Sequence, residues 1–159
     1  MDIFNFARTP HIYYGIGEIG NLANRLIGGG YNRVLLLTGK SSFRDTDSWV
    51  TVTGRLKAAG VSLEDRIVTG EPSVETVDAL AAEMRGNRPD AVVAVGGGSV
   101  IDTGKAVSAM TVSEGSIQDY LEGVGDKSPS GEKIPFFAAP TTAGTGTETT
   151  KNAVISKVG

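Results

Sequence analysis

The stretch Ala91-Val92-Val93-Ala94-Val95-Gly96-Gly97-Gly98-Ser99-Val100-Ile101-Asp102-Thr103-Gly104-Lys105 decides the fold, because a buried strand breaks there into three glycines and restarts as a helix. This is the build of a phosphate-binding turn. Glycines remove the Cβ atoms that would hold a ligand off the backbone. The first N–H groups of the helix then point at a bound anion, with the positive end of the helix dipole behind them. A plainer reading makes Ser99 and Asp102 a capping box, each side chain satisfying a free N–H of the first turn. The two can coexist, with Ser99 capping while its own amide and that of Gly98 face a pyrophosphate.

The spacing is not that of the G-x-G-x-x-G dinucleotide fingerprint, since Ile101 stands where the third glycine belongs. A literal match occurs earlier, at Gly15-Ile16-Gly17-Glu18-Ile19-Gly20. It is set aside on three grounds. Ile12-Tyr13-Tyr14 is too short for a buried parallel strand, and Glu18 would set a negative charge beside the phosphates. In a chain with 22 glycines such a pattern also arises easily by chance. The signal is therefore phosphate, and NAD only by inference.

Outward from the turn, strands and helices alternate. A short strand at Ile12 to Tyr14 leads to a helix near Gly20 to Leu26, closed by Gly28-Gly29-Gly30, and Arg33 to Thr38 reads as a buried strand. A helix carrying Trp49, Val52 and Leu56 at helical spacing ends at Gly60; a strand follows around Val61 to Val68, then a Glu71-Pro72 turn. Ser73 is placed as the N-cap of a helix that buries Val77, Leu80, Ala81 and Met84, stops at Gly86 and hands over through Pro89 to the Ala91 to Val95 strand. This alternation predicts βαβ units and a parallel sheet, whose ligands collect at the carboxyl ends of the strands. Ser113 to Lys133, rich in Gly, Ser and charge, reads as a surface excursion with one amphipathic turn from Ile117 through Tyr120 and Leu121.

A second strand-to-turn segment is Pro135-Phe136-Phe137-Ala138-Ala139-Pro140-Thr141-Thr142-Ala143-Gly144-Thr145-Gly146-Thr147-Glu148. Thr141, Thr142, Thr145 and Thr147 supply neutral donors and acceptors suited to ribose, amide or phosphate oxygens and too weak for acid–base catalysis. The plainer alternative is a threonine-rich turn held by local side-chain caps.

A chain of 159 residues, 40% hydrophobic and 21% charged, fits one domain with a real core. A net charge of −3 without a basic run argues against nucleic acid as a partner. The absence of cysteine excludes disulfides, thiolate metal sites and a cysteine nucleophile. The longest aliphatic run, Val34-Leu35-Leu36-Leu37, is far shorter than the ~20 residues of a membrane span. Met1-Asp2-Ile3 lacks the basic and apolar regions of a signal peptide, so a cytoplasmic protein without membrane attachment is expected. The single histidine, His11, cannot build a His-rich metal site and reads as a surface or edge residue.

Several motifs together resemble the iron-containing, metal-dependent (group III) alcohol dehydrogenase family. They are G-G-G-S-V-I-D-T-G-K at Gly96 to Lys105, P-T-T-A-G-T-G-T-E at Pro140 to Glu148, Asn152-Ala153-Val154-Ile155, and the opening Pro10-His11-Ile12-Tyr13-Tyr14-Gly15-Ile16-Gly17. The resemblance runs the length of this chain and over the first half of a family member. It implies a Rossmann-like α/β fold with a doubly wound, mostly parallel sheet. Residues 1–159 would form the NAD(P)-binding domain, without the C-terminal helical metal domain. It implies that Gly97, Gly98 and Ser99 cradle the pyrophosphate, that Thr141, Thr142 and Thr145 line the nicotinamide side, and that Asp102 and Asn152 finish the cofactor pocket. Iron(II) or zinc, held by one aspartate and three histidines beyond residue 159, is implied for the full-length protein. This chain is then expected to carry no catalytic or metal residue and to be inactive alone toward a small alcohol or aldehyde. Apolar surface meant for the helical domain makes a homo-oligomer a further expectation.

Two positions depart from the family's common pattern. Where many members place a ribose-binding aspartate, this chain has Thr38-Gly39-Lys40-Ser41-Ser42. Without that carboxylate a 2′-phosphate is not repelled, and Lys40 could pair with it, so NADP is expected at least as much as NAD. Glu71-Pro72-Ser73 carries glutamate where asparagine often precedes the proline. Two rivals stand beside the dehydrogenase reading: a stand-alone nucleotide-binding module without catalysis, and a relative of glycerol dehydrogenase or 3-dehydroquinate synthase. The P-T-T-A-G-T-G-T-E segment favours the alcohol dehydrogenases.

Overall fold

Every residue from Val34 to Thr38 and from Ala91 to Gly96 is buried, which a strand achieves when helices cover both faces of its sheet. A computed structural model, describing residues 10–156, supplies that cover. Four strands, β1 (Arg33–Thr38), β2 (Ser62–Ile67), β3 (Ala91–Gly96) and β4 (Phe136–Pro140), pair in parallel in the order β2-β1-β3-β4. The side-chain period of two sorts their residues between two cores. On one face α1 (Leu22–Gly28) and α2 (Asp47–Ala58) pack Leu22, Leu26, Val52 and Leu56 onto Val34, Leu36, Val93 and Val95. On the other, α3 (Val74–Gly86) and α4 (Gly98–Met110) pack Val77, Ala81, Ile101 and Val107 onto Leu35, Leu37, Val92 and Ala94. The expected doubly wound parallel sheet is therefore the observed one.

The chain winds outward from β1 to β2, then crosses to the other side of β1 for β3 and continues to β4. Winding direction thus reverses between β1 and β3, and in open α/β sheets ligands bind at the carboxyl ends of the strands at such a point. Helix α4 lies close against the sheet here because Gly104 has no side chain. A Cβ there would stand 2.7 Å from the Phe136 ring and 2.9 Å from Ala94 Cβ.

Local chemistry sets the element ends. Gly30, at φ 75°, closes α1, with Tyr31 N donating to Leu26 O at 3.1 Å and Gly30 N to Ile27 O at 3.0 Å. Ser73 caps α3 as expected, accepting from Thr76 N at 3.2 Å, and Thr46 caps α2 from Trp49 N at 3.4 Å. The amphipathic turn of the surface excursion is a 3₁₀ turn at Ile117–Tyr120, tied to α3 by Asp78, which accepts from Ile117 N at 2.8 Å.

Among the described residues, the strand expected at Ile12 to Tyr14 is not seen. None of them pairs with it, and a lone extended segment has no ladder to join. Tyr13 instead lies under the Arg25 guanidinium, 3.4 Å from ring centroid to Cζ, and stacks on His11, while Tyr14 is 98% exposed. The Met1-Asp2-Ile3 start lies outside the described residues. Among those described, no helix is long and apolar enough to cross a membrane.

Candidate functional site

The site begins where β3 ends. A Cβ on Gly96 would stand 2.6 Å from Val100 Cγ2, so the turn into α4 closes this tightly only on glycine. Gly97 is the N-cap, in extended conformation, and its carbonyl accepts from Val100 N and Ile101 N, both at 3.1 Å. The capping box expected of Ser99 and Asp102 is not made. Ser99 lies inside the first helical turn, and the Asp102 carboxylate accepts from the Thr147 hydroxyl and from Val154 N at 3.3 Å. With a glycine at the cap, no side chain caps the helix by a hydrogen bond, and the first-turn amides are left for water or an anion.

The threonine turn meets this helix end directly. Thr141 N donates to Gly96 O at 2.9 Å, carrying the β3–β4 ladder into the two turns. A Cβ on Gly97 would lie 3.4 Å from Thr142 Oγ1, and one on Gly98 only 3.0 Å from Thr145 Cγ2. The glycines thus admit the second turn as well as bringing backbone to a ligand. Beyond it Gly146, at φ 63°, starts a 3₁₀ turn at Thr147–Thr149, and the chain runs on to Ser156. Ser156 N donates to Pro72 O at 2.7 Å, Val74 N to Ser156 O at 3.3 Å, and Ser156 Oγ to Glu71 at 3.0 Å.

These fastenings close a groove of about 330 Å³ whose lining includes Gly98, Ser99, Asp102, Thr145, Asn152 and Glu71. Gly97, Thr141 and Thr142 belong to the two turns beside it. Gly39 and Lys40 follow β1, whose end is level with that of β3, and do not line the groove. Lys40 is exposed, whereas nearby Arg44 is engaged: it donates to Thr38 Oγ1 at 2.7 Å, pairs with Asp65 and lies 4.5 Å from the Trp49 ring. The Glu71 carboxylate is likewise taken by Ser156.

Two features escaped sequence reasoning: the contact between Lys105 and Thr147, and the buried carboxylate of Glu148. Lys105 and Thr147 lie within the quoted motifs, but their contact with each other links segments far apart in sequence. The only local trace is the Asp102–Lys105 spacing, which sets a carboxylate and an ammonium on one helix face 3.2 Å apart. Glu148 Oε2 is buried without a hydrogen-bond partner, and nothing in the structure accounts for it. A larger concavity, about 440 Å³, is lined by Val50, Thr53, Gly54, Lys57, Val61 and Leu63. It opens beside the start of β2, away from the carboxyl ends, and its polar side chains are those of Thr53 and Lys57.

Fold and site define a doubly wound α/β domain with an anion-ready helix N-terminus at its switch point. The chain matches the family described as iron-containing alcohol dehydrogenase over residues 9–159, and it belongs to that family. It is 34% identical to the NADPH-dependent butanol dehydrogenase of Clostridium saccharobutylicum, over 97% of this chain and 39% of that protein. Among solved structures it is similar to the NADH-dependent butanol dehydrogenase A of Thermotoga maritima, with TM-score 0.87 and 31% identity over 99% of this chain and 39% of the other. It is also similar to sulfoacetaldehyde reductase from Bifidobacterium kashiwanohense in complex with NAD+, with TM-score 0.77 and 30% identity over 94% and 39% of the two chains. The chain therefore spans about two-fifths of these relatives' length, less than the half expected. Family and fold support a cofactor-binding role for the domain.

Proposed function

We propose that this chain is the cofactor-binding part of an NAD(P)-dependent alcohol dehydrogenase. The pyrophosphate lies across Gly97, Gly98 and Ser99 at the start of α4. Thr141, Thr142 and Thr145 orient the nicotinamide through hydroxyl and backbone hydrogen bonds, and Asp102 and Asn152 finish the pocket. Gly39 and Lys40 meet the adenosine ribose. The observation that carries this reading is the uncapped N-terminus of α4 opening at the reversal between β1 and β3.

NADP is favoured at least equally with NAD, because Gly39 offers no carboxylate to repel a 2′-phosphate and Lys40 is exposed beside it. The names of the relatives span both cofactors. The whole protein would transfer hydride between a small alcohol or aldehyde and the nicotinamide. The family's metal supplies a Lewis acid for that step when bound. The residues here do not fit it: the described ones contain no group of three or more His, Cys, Asp or Glu that could hold a metal, so no step is drawn through one. This chain's residues bind and orient the cofactor.

Titration calorimetry of the 159-residue chain with NAD and with NADP tests the reading. Both are expected to bind, NADP no weaker than NAD. A preference for NAD beyond about tenfold, equivalent to about 1.4 kcal/mol, would mean that another group reads the ribose. No binding of either cofactor would overturn the proposal.

A further inference from the structure

Lys105 lies in α4 with its side chain 11% exposed, facing away from solvent into a cage of oxygens. Its ammonium donates to the Thr147 carbonyl at 2.7 Å, to Thr147 Oγ1 at 2.6 Å and to the Asn152 carbonyl. It also lies 3.3 Å from Thr150 O, 3.3 Å from Thr150 Oγ1 and 3.2 Å from Asp102 Oδ1. These are more acceptors than three N–H groups can satisfy at once, so the cage responds to a compact positive charge rather than to directional donors. Thr147 completes a relay, its hydroxyl accepting from Lys105 and donating to Asp102.

The segment gathered in this way has little regular structure of its own, only the 3₁₀ turn at Thr147–Thr149. Yet Thr147, Thr150, Asn152 and Val154 form one wall of the groove whose other wall is Gly98, Ser99 and Asp102. Asp102, one turn into the helix whose N-terminus would receive an anion, is also a carboxylate lining that groove, and Lys105 neutralises it there. We infer that Lys105 is the positioning residue of this groove. It fastens the threonine segment to α4 in binding geometry and cancels the Asp102 charge where the pyrophosphate lies. The inference rests on the reading that the groove holds a dinucleotide.

The test compares the parent chain with Lys105→Met, Lys105→Arg and Lys105→Ala. It measures NADP affinity by calorimetry and amide hydrogen exchange by residue. Lys105→Met is expected to lose at least about tenfold in affinity and to lose protection across residues 147–154, while β1 and β3 stay protected. Lys105→Arg recovers only part of the affinity, because a planar fork does not fill the cage. Lys105→Ala regains affinity when ammonium ions are added and not with tetramethylammonium, a rescue that lost packing alone would not show. Should Lys105→Met unfold because the Asp102 charge is stranded, the Asp102→Asn/Lys105→Met double variant carries the exchange measurement without that charge. Folded variants that bind NADP like the parent and keep residues 147–154 protected would overturn the inference. If the parent itself fails to bind, the dinucleotide reading falls, and exchange alone judges Lys105: retained protection in Lys105→Met rejects the clamp, and lost protection upholds it.

Discussion

A methyl group at position 98 would press on Thr145, since an added Cβ would stand 3.0 Å from Thr145 Cγ2. A glycine substitution there therefore confounds packing with binding, and a second substitution separates them. Gly98→Ala is expected to lower both stability and NADP affinity. Adding Thr145→Ser removes the opposing methyl and restores stability, but the new Cβ still holds the pyrophosphate off the backbone, leaving binding weaker by about 1–3 kcal/mol. Urea denaturation and calorimetry on both variants check this. Recovery of affinity together with stability would mean that Gly98 serves only the close approach of the threonine turn. At this scale the glycine turn was legible where the demand for a missing Cβ is local, as at Gly96 against Val100, whereas the demand at Gly97 and Gly98 comes from the distant Thr142 and Thr145. The identity of the cap was not legible. Gly97 rather than Ser99 caps α4 because β3 pairs with β4 as far as Gly96, and that register is a tertiary fact.

Helix α2 carries a glycine that its surroundings do not require. Gly54 sits in the helix interior, and a Cβ there would meet nothing within 4 Å. Gly54→Ala is therefore expected to stabilise the chain by about 0.5–1 kcal/mol through the entropy of the unfolded state. The urea midpoint at unchanged slope reads this directly, and a lower midpoint would mean that Gly54 makes room for something the described residues do not contain. The other elements followed the periodicity of the sequence: β1 and β3 from unbroken apolar runs, α2 and α3 from apolar residues at helical spacing. Ile12-Tyr13-Tyr14 has the β-propensity of a strand, but among the described residues it pairs with none, and propensity without a partner makes no ladder.

On the scale of the whole molecule, the described residues form a groove beside the N-terminus of α4 and hold no group of three or more His, Cys, Asp or Glu that could bind a metal. The chain has a single histidine and no cysteine, and the described carboxylates are dispersed or already paired, as Asp102 is with Lys105. With iron(II) or zinc added, the purified chain is expected to form no NADH or NADPH from a panel of primary alcohols, even where calorimetry finds cofactor bound. No metal-binding group among the described residues would lower the alcohol's pKa and hold the alcohol against the nicotinamide. Metal-dependent absorbance growth at 340 nm, on protein free of any full-length enzyme, would show that other residues of the chain assemble a metal site.

The sequence by itself determined the alternation of strands and helices, the parallel sheet it implies, the two strand-end turns, and the family to which they belong. Those signals live in short-range periodicity and in residues whose backbone demands are local. Only the tertiary structure decided where the turns meet. The order β2-β1-β3-β4 sets the reversal between β1 and β3, and the β3–β4 register brings Thr142 to Gly97 and Thr145 to Gly98. The fold also draws the oxygens of Thr147 and Asn152, 42 and 47 residues along the chain, around the ammonium of Lys105. No periodicity encodes such a contact, because it exists only after strand pairing and helix packing have brought distant segments together.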